Sequence, residues 1–343
     1  MPPTIRDVAK KLNISIYTVS RALDGYDDVA EQTRELVIQA ANKMGYAPNR
    51  AARQLRRQKA ETIGFIIPSI SKRFNEPFFT EFVSGLGEEL SSRNFDLLVS
   101  NVKTDDAERH LYHRWVNSRK VDGFVLNRIR RHDWRVSFLS QWGIPFVALG
   151  KSQDRIEYPH VRIEAADAYL SLVQHIQSNG FSQFAFIGGP SDLINQIDRL
   201  RWFRAAARKC GLDVHRDHIV STEMTSTGGY EAAGALLSSS IPPNAILCVN
   251  DEAAFGALHA AREKGLKVGV DIVIAGFDGV RDSQHVEPAL TTLNTPVDDI
   301  ARQLADMLLN VLNGSPLEAQ EIVVRPQLVI RASTGGKTCV PNE

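Results

Sequence analysis

Polar residues of complementary chemistry stand where apolar runs stop. Asn127 closes VDGFVLN, Asn250 and Asp251 close ILCVND, Asp278 closes IVIAGFD, and Arg199 precedes the amphipathic stretch LRWFRAAARKCG. Neutral amides, a carboxylate and a guanidinium offer hydrogen bonds in pairs, which is the chemistry that holds vicinal hydroxyls. Phe78 and Phe79 in NEPFF add an apolar or stacking wall. Each residue also has a structural use: Asp278 as the cap of the following turn, the two asparagines as partners for loop backbone, the phenylalanine pair as core. Taken as a set at strand ends, they favour a ligand site. A second constellation lies near the N-terminus, in IYTVSRALDG. Once Val19, Ala22 and Leu23 are assigned to a core, Ile16, Tyr17, Thr18, Ser20 and Arg21 remain. Arg21 can give two hydrogen bonds to a guanine edge and Ile16 can pack on a thymine methyl. Tyr17 and Thr18 can reach a base or a phosphate.

Three short helical patterns must position that second set. In TIRDVAKKLN, Thr4 is placed to cap, with Asp7 at the third helical position near the positive helix end, and Ile5, Val8, Ala9 and Leu12 on one face. Ser15 caps the next pattern, which stops at Gly25. The third, EQTRELVIQAANKMG, carries Leu36, Val37, Ala40, Ala41 and Met44. Helix, tight turn and helix is the helix-turn-helix arrangement, whose second helix suits the major groove; a generic three-helix bundle with a wet face is the alternative. Charge favours the first reading. Residues 1–60 hold 11 Lys+Arg against 6 Asp+Glu, and the remainder holds 29 against 34, so a basic head precedes an acidic body although the whole chain is neutral.

Downstream, two series of short apolar runs alternate with amphipathic stretches. TIGFIIP, FDLLVS, VDGFVLN and IPFVALG form the first, and FAFIGGP, HIVSTE, AILCVND and IVIAGFDG the second. Such runs separated by helices indicate parallel strands buried on both faces. The expected fold class is therefore α/β: an all-α helix-turn-helix headpiece and a body of two doubly wound parallel-sheet subdomains, each of four or five strands. A cleft between two such units is a natural small-molecule site.

Other classes find little support. There is no G-x-S-x-G elbow or P-loop, IGGPSD lacks the dinucleotide fingerprint, and no cofactor or metal is expected. His110 and His113 have no acidic partner at metal-site spacing and read as a surface pair. Cys210, Cys248 and Cys339 are far apart and match no zinc spacing. No run approaches the roughly 18 apolar residues of a membrane span. The stretch MPPTIRDVAKKLN has no apolar leader core, so the expected place is the cytoplasm. A transport-type binding protein would share the body but would need a leader and no basic head.

The stretch TIRDVAKKLNISIYTVSRALDG…VAEQTRELVIQAANKMGYAPNRAARQLR resembles the headpiece of the lactose-repressor (LacI/GalR) family of bacterial transcription regulators. The likeness continues through RKVDGFVL, FAFIGGP, RLRWFRAA, ILCVNDEAAFGALHAAREKGLKVGVDIVIAGFDGV, PALTTLNTPVDDIARQLADMLL and RPQLVIRAST, nearly the whole chain. It implies a repressor that binds a pseudo-palindromic operator as a homodimer and is controlled by a sugar-like effector. It implies effector contacts from Phe78 or Phe79, with Phe78 the one facing the ligand, and from Asn127, Arg199, Met224, Asn250 and Asp278. Three departures bear on the effector: Gly150-Lys151 after PFVAL, VRIEAAD with Glu164 and Ala165 at the subdomain crossover, and Met224 where an aromatic is common. Lys151 admits an effector bearing a carboxylate or phosphate.

NRAARQLRRQ also acquires a role. Asn49 can cap it after Pro48, and Ala51, Ala52 and Leu55 form an apolar edge among Arg50, Arg53, Arg56 and Arg57. Alone it is shorter than the ~12–15 residues a helix needs in water. The resemblance makes it a hinge helix that pairs with its twin in the minor groove, Leu55 wedging between base steps and the arginines meeting phosphates. DNA contacts are thus expected from Thr4, Ser15, Ile16, Tyr17, Thr18, Ser20, Arg21, Asn49, Ala52, Arg53, Leu55 and Arg56. The expected division is a headpiece at 1–47, a hinge at 48–60, a body at 61–335 and a tail at 336–343. Within the body the N-subdomain takes about 61–161 and 292–320, and the C-subdomain about 162–291 and 321–335. The final STGGKTCVPNE is too short, and lacks the heptads, for a tetramerising coiled coil.

Overall fold

The computed structural model describes residues 3–46, 59–68, 77–316 and 319–335. The hinge candidates Asn49, Ala52, Arg53, Leu55 and Arg56 and the tail lie outside the described residues. The chain divides into two compact units, Met1–Ala60 and Glu61–Glu343.

Among the described residues the first unit holds three helices: α1 (Ile5–Leu12), α2 (Ile16–Leu23) and α3 (Glu31–Met44). Asp7 accepts from both the backbone N–H and the hydroxyl of Thr4, at 2.8 and 2.7 Å, closing the first turn of α1. Asn13 takes a left-handed conformation (φ 53°) to end α1. Ser15 Oγ then accepts from Thr18 N–H at 2.9 Å and starts α2. The core is built from small side chains, Val8, Ala9, Val19, Ala22, Val29, Val37 and Ala40. Leu36, expected in that core, is 57% exposed. On α3 the inward row is Val37, Ala40, Ala41 and Met44, and position 36 lies about 100° away from Val37 around the helix.

Among the described residues the second unit holds two six-stranded sheets. The first contains β1 (Thr62–Pro68), β2 (Asp96–Val102), β3 (Gly123–Leu126), β4 (Phe146–Leu149), β5 (His160–Ile163) and β11 (Glu321–Val324). Its order is β11-β5-β4-β3-β1-β2, and every pair is parallel. The second contains β6 (Phe184–Gly188), β7 (Ile219–Ser221), β8 (Ala245–Cys248), β9 (Val273–Asp278), β10 (Thr291–Asn294) and β12 (Gln327–Val329), ordered β12-β10-β9-β8-β6-β7. Only β12 runs antiparallel to its neighbour. Strands β3, β4, β6, β8 and β9 are buried throughout, which is why their sequences are unbroken apolar runs.

The subdomain ends fall at different points from those expected. Strand β10 pairs with β9 in the second sheet, and β11 pairs with β5 in the first. The crossovers follow those strands, at Thr295-Pro296 and Arg325-Pro326, where proline ends strand pairing. Both sheets share the order 2-1-3-4-5 in their first five strands, so each has a switch point beside its first strand, where ligands bind in open parallel sheets.

Helices α4 (Pro77–Ser92), α5 (Asp105–Asn117), α6 (Trp134–Gln141) and α11 (Val297–Leu312) accompany the first sheet, and α7 (Ala166–Ser178), α8 (Ile194–Lys209), α9 (Ser226–Leu237) and α10 (Asp251–Glu263) the second. The crossing of α9 and α10 depends on two glycines. A Cβ at Gly229 would lie 2.0 Å from the Ala253 carbonyl oxygen, and one at Gly256 only 1.9 Å from that of Ser226. Gly256→Ala is therefore expected to force the helices apart and cost about 1–3 kcal/mol. A lower midpoint in urea unfolding, followed by far-UV circular dichroism, checks this, and an unchanged midpoint contradicts it.

Candidate functional site

The carboxyl ends of the two sheets face one another across a cleft. The space between them, open mouth included, is about 670 Å³. The first subdomain contributes Phe78 and Phe79 from the start of α4 and Asn127, Arg128 and Ile129 from the end of β3. The second contributes Leu193, Asn195, Gln196 and Arg199 around the start of α8, Met224 after β7, and Val249, Asn250 and Glu252 after β8. Asp278 and Val280, at the end of β9, complete the lining.

Asn127 is 4% exposed. Its Oδ1 accepts from the N–H of Arg128, and its Nδ2 has no hydrogen-bond partner. A buried donor left unmade costs about 1–3 kcal/mol, and this one belongs to a residue that lines the cleft. Phe78 and Phe79 meet edge to face at 5.7 Å, and the Arg128 guanidinium lies 4.8 Å from the Phe79 ring centre. Opposite, Arg199 donates to Asp278 Oδ1 at 2.9 Å and to the carbonyl of Val249, and lies 3.6 Å from the centre of the Phe277 ring. Asp278 sits at φ 106°, a strained backbone for a residue with a Cβ. Asn250 uses both ends of its amide: Oδ1 caps α10 by accepting from Ala253 N–H at 3.1 Å, and Nδ2 donates to the Met224 carbonyl at 3.1 Å.

The rims are joined directly. Arg131 N–H donates to the Asp192 carbonyl at 2.7 Å and Ile194 N–H to the Ile129 carbonyl at 2.9 Å, a short antiparallel bridge between the two subdomains.

Behind each wall is a buried charge: Arg135, which sequence reasoning missed, and Asp251, which it set among the strand-end ligand residues but which does not line the cleft. In the first subdomain, Arg135 is fully buried. It pairs with Asp133 at 2.7 Å and Glu108 at 3.3 Å, and donates to the carbonyls of Asn127 and Arg128 at 3.1 and 3.0 Å. Burial works against the charge on Asp133. The charge and hydrogen bonds of Arg135, with the N–H groups of Arg130 and Arg135, prevail and hold its pKa below the ordinary value. In the second subdomain, Asp251 accepts from Gly279 N–H, Val280 N–H, Ser283 Oγ and Thr292 Oγ1, all between 2.6 and 2.9 Å. Burial pushes this carboxyl up to about 6 against those four donors. The first wall is held by a guanidinium grasping carbonyls, the second by a carboxylate grasping N–H groups.

Of the effector residues expected from sequence, Phe78, Phe79, Asn127, Arg199, Met224, Asn250 and Asp278 line this cleft. Lys151 does not: its ammonium pairs with Glu157 at 2.5 Å, outside the lining. Gly150, at φ 105°, turns the chain immediately before it. In the first unit, Ile16 and Tyr17 are exposed (45% and 67%) and Thr18 is half-buried, its hydroxyl 2.8 Å from that of Ser15. Ser20 departs from expectation. It is 5% exposed, its Oγ donating to Asp24, because it follows Val19 on the side of α2 that meets the core. Arg21 is held by its neighbours, with Nε and Nη2 on Asp28 at 2.8 and 2.7 Å and Nη1 on Tyr17 Oη at 3.0 Å. Among the described residues no helix is long and apolar enough to cross a membrane.

Residues 4–49 match the family described as bacterial regulatory proteins, lacI family, and residues 173–334 match the periplasmic binding protein-like domain. The chain is 30% identical over 336 residues to catabolite control protein A of Priestia megaterium, spanning 97% of this chain and 100% of that one. Among solved structures it is similar to the transcriptional regulator CelR–cellobiose complex, at 27% identity and a TM-score of 0.75 over 96% of this chain and 99% of that one. It is also similar to the lac repressor dimer bound to operator and the anti-inducer ONPF, at 25% identity and a TM-score of 0.82 over 98% and 100%.

The charge cluster behind Asn127 yields a test. Asp133→Asn removes the anion from a fully buried pair and is expected to cost about 3–5 kcal/mol at neutral pH. Because the folded-state pKa of Asp133 is depressed, its contribution is present above the ordinary value of 3.8 and fades as pH falls through the folded value. Urea unfolding of both proteins at several pH values should show a stability difference that shrinks on acidification. A difference independent of pH would mean that the charge of Asp133 is not what stabilises this wall.

Proposed function

The chain belongs to the LacI family of bacterial regulatory proteins, and from that premise we propose how its two units divide the work of a DNA-binding, effector-regulated transcriptional repressor. Two chains associate through their bodies and present two heads to a pseudo-palindromic operator, half-sites matching the two-fold axis. Helix α2 lies in the major groove. Ile16 packs on a thymine methyl, Tyr17 and Thr18 reach base or phosphate, and Arg21 meets a guanine edge. Thr4 and Ser15 sit at helix starts where phosphates are favoured. The hinge residues Asn49, Ala52, Arg53, Leu55 and Arg56 complete the contact set in the minor groove. Such a regulator works in the cytoplasm, and we assign the chain no catalytic role.

The effector is a small polyhydroxylated molecule in the cleft, with Asn127 donating to one hydroxyl, the Arg199–Asp278 pair sharing others and Phe78 and Phe79 against an apolar face. The similarity to CelR, solved with cellobiose, supports a sugar-like ligand. The observation that carries the assignment is the Asn127 amide, buried between two sheets and donating to nothing. A ligand filling the cleft favours one relative arrangement of the subdomains beside the Ile129–Ile194 bridge. Coupling to DNA then requires a differential affinity on the order of 1–3 kcal/mol between two states.

Two measurements test this reading. The full chain should bind duplex DNA with steep salt dependence, log Kd changing by ~0.9 per phosphate neutralised for each unit of log salt. A chain beginning at residue 61 should not bind. Equal retention by both, or by neither, would refute the DNA assignment. For the cleft, thermal shift against a panel of sugars and sugar phosphates should find a ligand that raises the unfolding temperature. Asp278→Asn should abolish most of that shift while leaving ligand-free DNA binding intact. Collapse of DNA binding itself would make Asp278 structural.

A further inference from the structure

Arg21 does not project freely from α2. Its Nε and Nη2 donate to the two oxygens of Asp28, at 2.8 and 2.7 Å, and its Nη1 donates to Tyr17 Oη at 3.0 Å. The guanidinium carbon lies 4.1 Å from the centre of the Tyr26 ring, which covers one face. A guanidinium has five N–H groups, and these contacts use three. One N–H remains on each terminal nitrogen. Two donors about as far apart as the two terminal nitrogens of one planar group match O6 and N7 of guanine. Asp28 is beyond α2, seven residues along the chain, and its side chain is 56% exposed, so no core requirement places a carboxylate there.

We propose that Asp28 is a positioning residue for base reading: it fixes the Arg21 guanidinium on its Nε edge, so that only the outer edge is offered to DNA, and the half-site carries a guanine opposite Arg21. The inference rests on the reading of α2 as the DNA-reading helix. A free arginine side chain samples many rotamers and can satisfy itself on any phosphate. Held by Asp28, Tyr17 and Tyr26, this one keeps a single orientation and has no donor left on its Nε side for the backbone. The carboxylate also disfavours phosphates nearby, which lowers affinity for every duplex equally and so sharpens the contrast between right and wrong sequences. Asp28 thus contributes to specificity at some expense of total affinity.

The experiment uses the full chain and a library of duplexes with a randomised 20-base-pair segment, selected by the wild type, Asp28→Asn and Arg21→Lys. The wild type is expected to enrich a two-fold symmetric consensus with a guanine in each half-site. Binding to the consensus should exceed binding to the same duplex altered at that guanine by roughly tenfold or more, the range for a bidentate base contact. Asp28→Asn should lose preference at that one position, retain the rest of the consensus and bind unrelated duplex DNA as well as the wild type or better. Arg21→Lys should lose the same position. A merely structural role for Asp28 would weaken all positions together and lower the melting temperature. An Asp28→Asn consensus identical to that of the wild type, or a uniform loss at all positions, overturns the proposal. If the wild type enriches no sequence, the reading of α2 itself fails and the inference falls with it.

Discussion

A charge taken out of water must be met by partners on every side, or the fold loses several kcal/mol. Both walls of the cleft are organised by that constraint. Arg135 has no exposure and no route to solvent, so it is matched by Asp133, Glu108 and two carbonyls. Those carbonyls belong to Asn127 and Arg128, at the end of β3, where hydrogen bonding between strands has stopped. Asp251 is matched by N–H groups of Gly279 and Val280, just past Asp278. In each sheet the buried charge compensates for the loss of strand pairing at the point where the chain must turn and still present a side chain to the cleft. The strain at Asp278, φ 106°, is tolerated because the turn after it is anchored on Asp251.

The two walls differ in what remains for a ligand. On the second, Arg199 is already committed to Asp278, to a backbone carbonyl and to the Phe277 ring. That wall is nearly self-sufficient, and ligand hydroxyls would add to a preformed network. On the first, the Asn127 amide is committed on its oxygen side only. The energetic gain from an incoming acceptor is therefore concentrated there. A cleft with one satisfied wall and one wanting wall binds best when both walls close on the same molecule, which is the property that lets binding bias the arrangement of two subdomains.

Much of this was legible in the sequence, for a definite reason. Asn127, Asn250 and Asp278 end apolar runs, and apolar runs of four to six residues between helices are buried parallel strands whose carboxyl ends carry sites. Arg199 and the Phe78–Phe79 pair stood out by residue type beside those runs, and Met224 came only with the family resemblance. The misses share a different property: their meaning lies in contacts distant along the chain. Arg135 and Glu108, 27 positions apart, look like ordinary surface charges on two helices until the fold buries them together. Asp251 beside Asn250 looks like the second half of a cap, and its four donors lie 28 to 41 residues downstream. The return of β11 to the first sheet is likewise a matter of pairing with β5, across some 160 residues, that local pattern does not carry. Lys151 and Ser20 erred more locally, one drawn to Glu157 and one to the core side of α2.

The head follows a logic opposite to that of the cleft. Its core of valines and alanines allows three short helices to approach closely, and the larger residues Ile16, Tyr17 and Tyr26 are left outside. Tyr17 and Tyr26 are not idle there, since both bear on Arg21. Arg21 is thus ordered before any DNA arrives, and association does not have to bear the entropy of fixing that long side chain. The cleft keeps an unmet donor so that occupancy changes the energy of the protein. In the head the open donors are two N–H groups of a guanidinium already held in place, so that what changes on binding is the DNA partner and not the orientation of Arg21. A regulator needs both properties, responsiveness where the signal enters and rigidity where the sequence is read, and here they are placed in separate units of one chain.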